Sequence, residues 1–375
     1  MTRRLCEMLL LVLCTFSAAA QVQSISIAAG TPEDVAIQEI GKQADDAKRI
    51  PMWEEFVTKF ASNPAAVAYG NSQIAQIYLA SSDAAKAMAA GEKALAAMPA
   101  NLDVMMTLTT AAQQAKDSAK IVRYATMGGK AINGIEKTPK PEGYGDADWA
   151  ANLKEERRRA QQQYQFLDAA TYSAIAEEGD AKKRVGLAEQ YDATFPDGQY
   201  LDQVHQFAIS SLLQAKDFAT LAKYGEKALA ASPDNVSTLA LLGYALVEDG
   251  DPKNPYIAKA MEYARKAVEL GTPNATEANR PVRLSVGLAH EALGYALMKQ
   301  EKTAASIPEF KSASALLKDD PGSHEVTLFR MGYAYAKLKR AAEARQTLNE
   351  VIAMKGPFEE PAKKVLAQMA GGKKE

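Results

Sequence analysis

Apolar residues recur at helical spacing through the middle of the chain. Residues 146–178 form a run of 33 residues without glycine or proline. The apolar positions in this run follow a period near that of an α-helix: Leu153, Ala160, Tyr164, Leu167, Ala174 and Ile175. The preceding residues 136–145 hold two prolines and two glycines, which is typical of a loop. The pattern predicts a long helix or a pair of helices that begins near Asp146, with Asp146 as its N-cap.

Residues 154–159 of this predicted helix mix acidic and basic side chains. Glu155 and Arg159 are four residues apart, so they can pair along one helix face. The mixture favours a solvated helix face over a basic binding patch.

The beginning of the chain has a different pattern. Arg3 and Arg4 precede a largely apolar stretch of nine residues, 8–16, and small residues with an A-x-A arrangement follow. This order indicates a secretory signal peptide, residues 1–20, that is cleaved before Gln21. Nine helical residues rise only about 14 Å, well short of the roughly 30 Å hydrocarbon core of a bilayer. The segment is therefore predicted to direct export rather than to span a membrane.

Two alternatives for the first twenty residues stay open. One is an N-terminal helix that is not removed. The other is a lipoprotein modified at Cys14, which the bulky Leu13 disfavours because the processing site needs a small side chain at that place.

Charge and cysteine content change with the signal peptide. The 375-residue chain has a formal net charge of −2, and removal of Arg3, Arg4 and Glu7 makes it −3. A balance this close to neutral gives no overall attraction to nucleic acid or to an anionic membrane. Cys6 and Cys14 leave with the signal, so the mature chain has no thiol for a disulfide, a thiolate zinc site or a cysteine nucleophile.

The strongest pattern in the chain is an internal repeat. The heptapeptide Gly-Glu-Lys-Ala-Leu-Ala-Ala occurs identically at 91–97 and at 225–231, a separation of 134 residues that is close to four times 34. Each copy is followed by X-Pro-X-Asn. A second echo relates Lys116-Asp117 to Lys216-Asp217, each followed by a tyrosine seven residues after the aspartate. A fixed period of this length is typical of a helical-repeat protein.

A frame of about 34 residues fits most of the chain. Each unit has a first helix with a Leu-Gly or related pair, a second helix rich in small residues, and a proline that ends it. The anchors are clearest in five units: 68–101, 202–235, 236–273, the unit that begins near 287, and 325–358. Weaker units lie at 35–67, 102–135 and 165–201. Pro308 falls inside an expected second helix, so that helix is predicted to begin late or to be kinked.

On these residues the chain resembles the tetratricopeptide repeat family over most of residues 31–370. The resemblance implies an all-α, right-handed superhelical solenoid of antiparallel helix pairs with a concave binding groove. The expected organisation is a signal peptide at 1–20, a flexible N-terminus at 21–31, repeats at 32–135, a loop and extra helix at 136–164, repeats at 165–358, and a capping helix with a polar tail at 359–375.

The sequence offers little material for catalysis. It contains no P-loop, no G-x-S-x-G elbow and no H-E-x-x-H zinc motif. His205, His290 and His324 lie far apart in sequence, and a packed or solvated role is favoured over a catalytic dyad. We therefore expect no enzyme activity, no catalytic or metal-binding residues and no cofactor.

A candidate binding surface comes from the tripeptide Gly-Tyr-Ala, which occurs at 243–245, 294–296 and 332–334. In the family that the chain resembles, the residue after that glycine faces the concave groove. The resemblance therefore implies a ladder of Tyr244, Tyr295 and Tyr333. Residues one turn further on would join it: Val247 and Glu248, Met298 and Lys299, Ala336 and Lys337. The alternative is that the tyrosines serve packing between repeats.

Some members of the family grip a partner's C-terminal carboxylate with lysine, asparagine and arginine. Here tyrosine stands where that mode needs asparagine, which argues against it.

The function expected from the sequence is an exported, non-catalytic scaffold, periplasmic or extracellular, that binds a protein or peptide partner. The alternatives are a structural subunit of a cell-envelope assembly and a binder of polysaccharide or another small ligand. No nucleic acid partner is expected, because no basic stripe with interleaved aromatic residues occurs. The mature chain is not expected to span a membrane.

Overall fold

A computed structural model of the chain describes residues 22–251 and 253–371. These residues form 18 α-helices and two short 3-10 helices, and they contain no β-strand. The all-α helical-repeat fold expected from the sequence is confirmed. The expected signal peptide at 1–20 lies outside the described residues.

The chain divides into two compact units, Met1–Thr171 and Tyr172–Glu375. The helices of the first unit are α1 (Pro32–Gly41), α2 (Asp46–Lys59), α3 (Pro64–Ala80), α4 (Ala84–Ala97), α5 (Leu102–Gln114), α6 (Ser118–Gly134) and α7 (Asp146–Arg159). Helix α8 (Gln161–Glu177) includes the point of division. The helices of the second unit are α9 (Ala181–Thr194), α10 (Leu201–Gln214), α11 (Phe218–Ala231), α12 (Val236–Val247), α13 (Ile257–Gly271), α14 (Arg280–Lys299), α15 (Thr303–Leu316), α16 (Pro321–Lys337), α17 (Ala341–Met354) and α18 (Glu359–Gly371).

Side-chain caps begin about half of these helices. An aspartate or asparagine before the first helical residue accepts a backbone N–H of the first turn, which satisfies a donor that the helix itself cannot pair. Residues with this role are Asp45, Asn63, Asp83, Asn101, Asp117, Asp180, Asp217, Asn235 and Asp320. The asparagines of the two X-Pro-X-Asn motifs, Asn101 and Asn235, are among them.

The turn between the two helices of a pair has the same backbone conformation in several pairs. In five turns a residue other than glycine has a positive φ: Ser82, Lys116, Lys216, Glu301 and Lys339. The backbone N–H of the next residue then donates a hydrogen bond to the carbonyl oxygen five residues earlier. Examples are Asp117 N to Ala112 O at 3.1 Å and Asp217 N to Leu212 O at 3.0 Å. This is the Schellman closure of a helix end. Both Lys-Asp pairs stand at this turn, where the lysine has the positive φ and the aspartate is the N-cap of the next helix.

In the first unit, helices α3 to α6 form two consecutive antiparallel pairs. Gly91 of α4 lets that helix approach α5 closely, because a Cβ there would lie 2.7 Å from Leu108 Cδ2. The segment before α1 is tied to the α4–α5 turn, since Gln23 N donates to Ala100 O at 2.9 Å. Trp53 and Phe56 of α2 are buried against α3.

In the second unit, α10 to α17 form four consecutive pairs, and α18 packs on the last of them. Glycines lie where two helices approach each other closely, both between neighbouring pairs and within one pair. Gly225 of α11 faces Leu242 of the next pair, whereas Gly243 of α12 faces Ala260 and Ala264 of its own partner helix α13. These contacts leave no room for a side chain, which explains glycine within helices where its propensity is poor.

Three local expectations concern an N-cap, a helix start and an ion pair. The N-cap expected at Asp146 is wrong, because helix α7 begins at Asp146 as its first residue and its N-cap is Gly145, which has no side chain to offer. The late start expected for the helix with Pro308 is also wrong, because α15 starts at Thr303 and carries Pro308 inside; the alternative, a kink at Pro308, stays a prediction. The pair of Glu155 and Arg159 is present, with 3.1 Å between the charged atoms.

Candidate functional site

The three tyrosines of the candidate ladder lie on the first helices of three consecutive pairs, α12, α14 and α16. Tyr244 and Tyr295 are half-buried, and Tyr333 is 38% exposed. The glycine before each tyrosine packs against the second helix of its own pair. Because consecutive helical residues are about 100° apart, each tyrosine is turned away from that second helix.

Arg330 of α16 connects all three helices. One guanidinium nitrogen of Arg330 lies 2.6 Å from Glu248 Oε1 at the end of α12, and the other pairs with Glu291 of α14. The guanidinium also stacks on the ring of Tyr295, 3.7 Å from its centroid. Two ion pairs and one stacking contact together fix the position of the planar guanidinium group. These four residues, Glu248, Glu291, Tyr295 and Arg330, are called the Arg330 cluster below.

The Arg330 cluster is largely out of contact with water. The Glu291 side chain is 1% exposed and that of Arg330 is 13% exposed. Burial raises the pKa of Glu291, and the attraction of Arg330 opposes this rise without cancelling it. Burial lowers the pKa of Arg330, but Glu291 and Glu248 outweigh it and raise the pKa overall. Arg330 therefore stays charged, and the cluster forms a fixed polar centre between the tyrosines.

Tyr244 borders this cluster. Burial raises the pKa of Tyr244, and the nearby carboxylates of Glu291 and Glu248 raise it further. Burial also raises the pKa of Tyr295. Both tyrosines therefore keep their hydroxyl protons at neutral pH, so both can donate a hydrogen bond to a ligand.

The other residues expected in the site have different positions. Lys299 donates to the carbonyl of Asp249, and its Nζ lies 5.0 Å from the centre of the Tyr295 ring. Burial lowers the pKa of Lys299. Lys337 is exposed beside Tyr333, with its Nζ 5.7 Å from the ring centre. Met298 is 8% exposed and packs in a buried cluster with Ile307, Phe310 and Leu328. It therefore contributes to the core rather than to an open surface.

A cavity of about 440 Å³ adjoins the Tyr244 end of the ladder. Leu213 of α10 and Phe218 of α11 supply an apolar wall, and Tyr244 and Glu248 lie on the α12 side. Lys216, in the turn between α10 and α11, lies at the edge. The volume is at the small end of the range for ligand pockets, about 300–1,000 Å³.

The sequence does not single out two residues of the site, Glu291 and Arg330. Glu291 precedes Tyr295 by four residues, and Arg330 precedes Tyr333 by three, so both lie one helical turn before a ladder tyrosine. This position, one turn before a ladder tyrosine, is the feature of the sequence that could have placed them in the site. The indication is weak, because charged residues on a helix are usually solvated.

The three histidines lie on three different helices. His205 is 2% exposed, and its Nε2 lies 3.0 Å from Asp192 Oδ1. His290 Nδ1 lies 2.7 Å from Glu309 Oε2. His324 is half-buried, and burial lowers its pKa. Among the described residues, no group of three or more metal-ligating side chains is arranged to hold a metal ion. No helix in the described part of the chain is long and apolar enough to cross a membrane.

Comparison with solved structures gives distant similarities. The chain is similar to the crystal structure of the APC/C hetero-tetramer Cut9–Hcn1, with 15% sequence identity and a TM-score of 0.43 over 90% of this chain and 64% of that one. It is also similar to the P58(IPK) TPR domain, with 12% identity and a TM-score of 0.29 over 92% of this chain and 100% of that one. The chain thus spans less than two thirds of the length of the Cut9–Hcn1 chain. No protein-family model and no curated protein matches it. The helical-repeat fold follows from the chain's own helix pairs.

Proposed function

We propose that the chain is an exported, non-catalytic scaffold of the tetratricopeptide repeat type, and that it binds an extended segment of a protein partner. The binding surface is the ladder of Tyr244, Tyr295 and Tyr333 with Lys299 and Lys337 beside it. Export rests on the order of basic, apolar and small residues at 1–20.

The observation that carries this proposal is the Arg330 cluster. It holds the ring of Tyr295 by stacking and ties the three ladder helices together. A surface whose aromatic side chains are already ordered loses little conformational entropy when a ligand binds. Packing between repeats alone would not require Tyr333 to be 38% exposed.

An extended peptide suits this surface in both shape and chemistry. Tyrosine rings provide rigid apolar area, and their hydroxyl groups can bond to a peptide backbone. The tyrosines come from three consecutive helix pairs, so a ligand that contacts all of them must itself be elongated.

The proposal is tested by partner capture in the organism's own cells. The full chain with a C-terminal affinity tag is isolated from the exported fraction, and bound proteins are identified by mass spectrometry. Changing both Tyr295→Ala and Tyr333→Ala should lower the recovery of a stoichiometric partner by about tenfold, the effect of losing aromatic hot spots. Tyr263→Ala on the second helix α13 is the matched control and should retain the partner.

Other results would contradict the proposal. Retention of the tagged chain inside the cell would refute export. Recovery of glycans without protein would favour the carbohydrate-binding alternative. A large drop in the thermal midpoint of the double variant, with capture unchanged per folded molecule, would assign the tyrosines to packing.

A further inference from the structure

The cavity beside Tyr244 has features that select a particular peptide. Leu213 and Phe218 are half-buried at its wall, and Tyr244 presents a third apolar surface. The cavity is therefore suited to one large apolar side chain, which would remove these three groups from water.

A carboxylate is fixed at the same cavity. Glu248 lines it, and the Glu248 side chain is 23% exposed. Only Oε1 of Glu248 accepts from Arg330; among the described residues Oε2 has no hydrogen-bond donor. Arg330 is shared between Glu248 and Glu291, and the charge of Lys299 also interacts with Glu248, so what Glu248 offers a ligand is its free oxygen Oε2. Glu248 thus offers an ordered, partly desolvated acceptor toward the cavity.

The positive charge at this cavity is more exposed. Lys216 is exposed, and it makes no ion pair in the part of the chain that the structure describes. A solvated lysine discriminates weakly between ligands, whereas a held and partly buried carboxylate makes stronger charge-assisted bonds. The ring of Tyr244 adds a favourable face for a cation on the Glu248 side.

We propose that this cavity is an anchor site for a peptide in which a large apolar residue stands next to a basic residue. The apolar side chain enters between Leu213 and Phe218, and the basic side chain pairs with Glu248 over the ring of Tyr244. This inference rests on the proposed peptide-binding function and specifies which segment of the partner is bound.

The test uses four dye-labelled hexapeptides with blocked termini, so that a terminal carboxylate cannot contribute. Their central pairs are Trp-Arg, Trp-Gln, Trp-Glu and Ala-Arg in a Gly/Ser background, and binding to the full chain is measured by fluorescence polarisation. The Trp-Arg peptide should bind about tenfold more tightly than Trp-Gln, as expected for one charge-assisted contact. Ala-Arg should bind more weakly still.

Substitutions in the chain show which residues cause the peptide preference. Glu248→Gln should abolish the preference for Trp-Arg over Trp-Gln, while Glu301→Gln, an exposed turn glutamate, should leave it unchanged. Leu213→Ala should weaken both Trp peptides equally. Circular dichroism checks that each variant is folded.

The inference is overturned by equal binding of the Trp-Arg and Trp-Gln peptides, by tighter binding of Trp-Glu, or by failure of all four peptides to bind. These results would not contradict the proposed peptide-binding function if the variant with both Tyr295→Ala and Tyr333→Ala still loses its captured partner. Loss of partner capture by Glu248→Gln, with no change in Glu301→Gln, would support the broader proposal, because Glu248 also belongs to the Arg330 cluster; the anchor site is judged by the peptide preference alone.

Discussion

At the scale of single residues, Asp192 shows how one buried carboxylate joins three helices. Its side chain is 3% exposed on α9. It accepts from Tyr224 at 3.1 Å and from Lys227 at 2.8 Å, both on α11, and lies 3.0 Å from His205 Nε2 on α10. Burial raises the pKa of Asp192, but the bonds from His205 and Lys227 outweigh burial and hold the pKa below its ordinary value.

This shift predicts a pH-dependent contribution to stability. An aspartate whose pKa is lower in the folded than in the unfolded chain stabilises the fold above its unfolded pKa, about 3.9. The contribution is lost as the pH falls through the folded pKa. Asp192→Asn should therefore cost about 2 kcal/mol at pH 7, the size of a buried charge-assisted bond. The deficit relative to the unmodified chain should shrink below about pH 4, which thermal melting at a series of pH values measures.

Glu155 provides the control for this prediction. Bonds from Arg158 and Arg159 lower the pKa of Glu155 to about 2, but the group lies at the surface. Exposed ion pairs contribute little to stability because water competes for both charges. Glu155→Gln should leave the melting temperature unchanged at every pH. An equal loss of stability in Asp192→Asn and Glu155→Gln would show that burial of the carboxylate does not cause the loss in Asp192→Asn.

At the scale of elements, the helix pairs were predictable from the sequence because their signals are local. Glycine and small residues at close contacts, prolines after second helices, and asparagine caps recur at fixed places in the units. The Asp146 cap was misplaced because a preceding glycine is also a permitted N-cap. The expected late start at Pro308 is wrong because Pro308, the sixth residue of α15, removes only one bond inside the helix, and α15 still begins at Thr303.

The glycine contacts lead to a prediction about packing between pairs. Gly225 belongs to the repeated heptapeptide and lies against the buried Leu242 of the next pair. Gly225→Ala should cost about 1–3 kcal/mol from overpacking, less the roughly 1 kcal/mol that alanine gains in helix propensity. Gly186 of α9 is the matched control, because nothing lies within 4 Å of a Cβ built there. Gly186→Ala should raise the thermal midpoint; a rise in both variants would contradict the close-contact explanation.

The candidate site was less predictable than the fold because its contacts are long-range. The repeat places Tyr244, Tyr295 and Tyr333 on equivalent helices, which the recurring tripeptide already indicates. The bond of Arg330 to Glu248 spans 82 residues of sequence. No local pattern encodes that partnership, because it depends on how three consecutive pairs pack.

At the scale of the whole molecule, each helix pair of a repeat array is stabilised mainly by its neighbours. In the second unit α18 packs on the pair formed by α16 and α17. Ala362 and Val365 of α18 lie in one buried cluster with Leu348 and Val351 of α17. The stability of α16 and α17 therefore depends in part on α18.

This arrangement predicts a graded response along the second unit when the packing of α18 is disrupted. Val365→Asp places a carboxylate in the apolar cluster, which should cost about 2–3 kcal/mol and release α18 locally. Hydrogen exchange should then accelerate most in α17 and α16 and less in α12, while α3 to α6 of the first unit keep their rates. Lys364→Asp introduces the same residue at the adjacent, exposed position and should change none of these rates. A uniform acceleration along the whole chain would instead indicate that the repeats unfold as one cooperative block, and it would contradict the graded response.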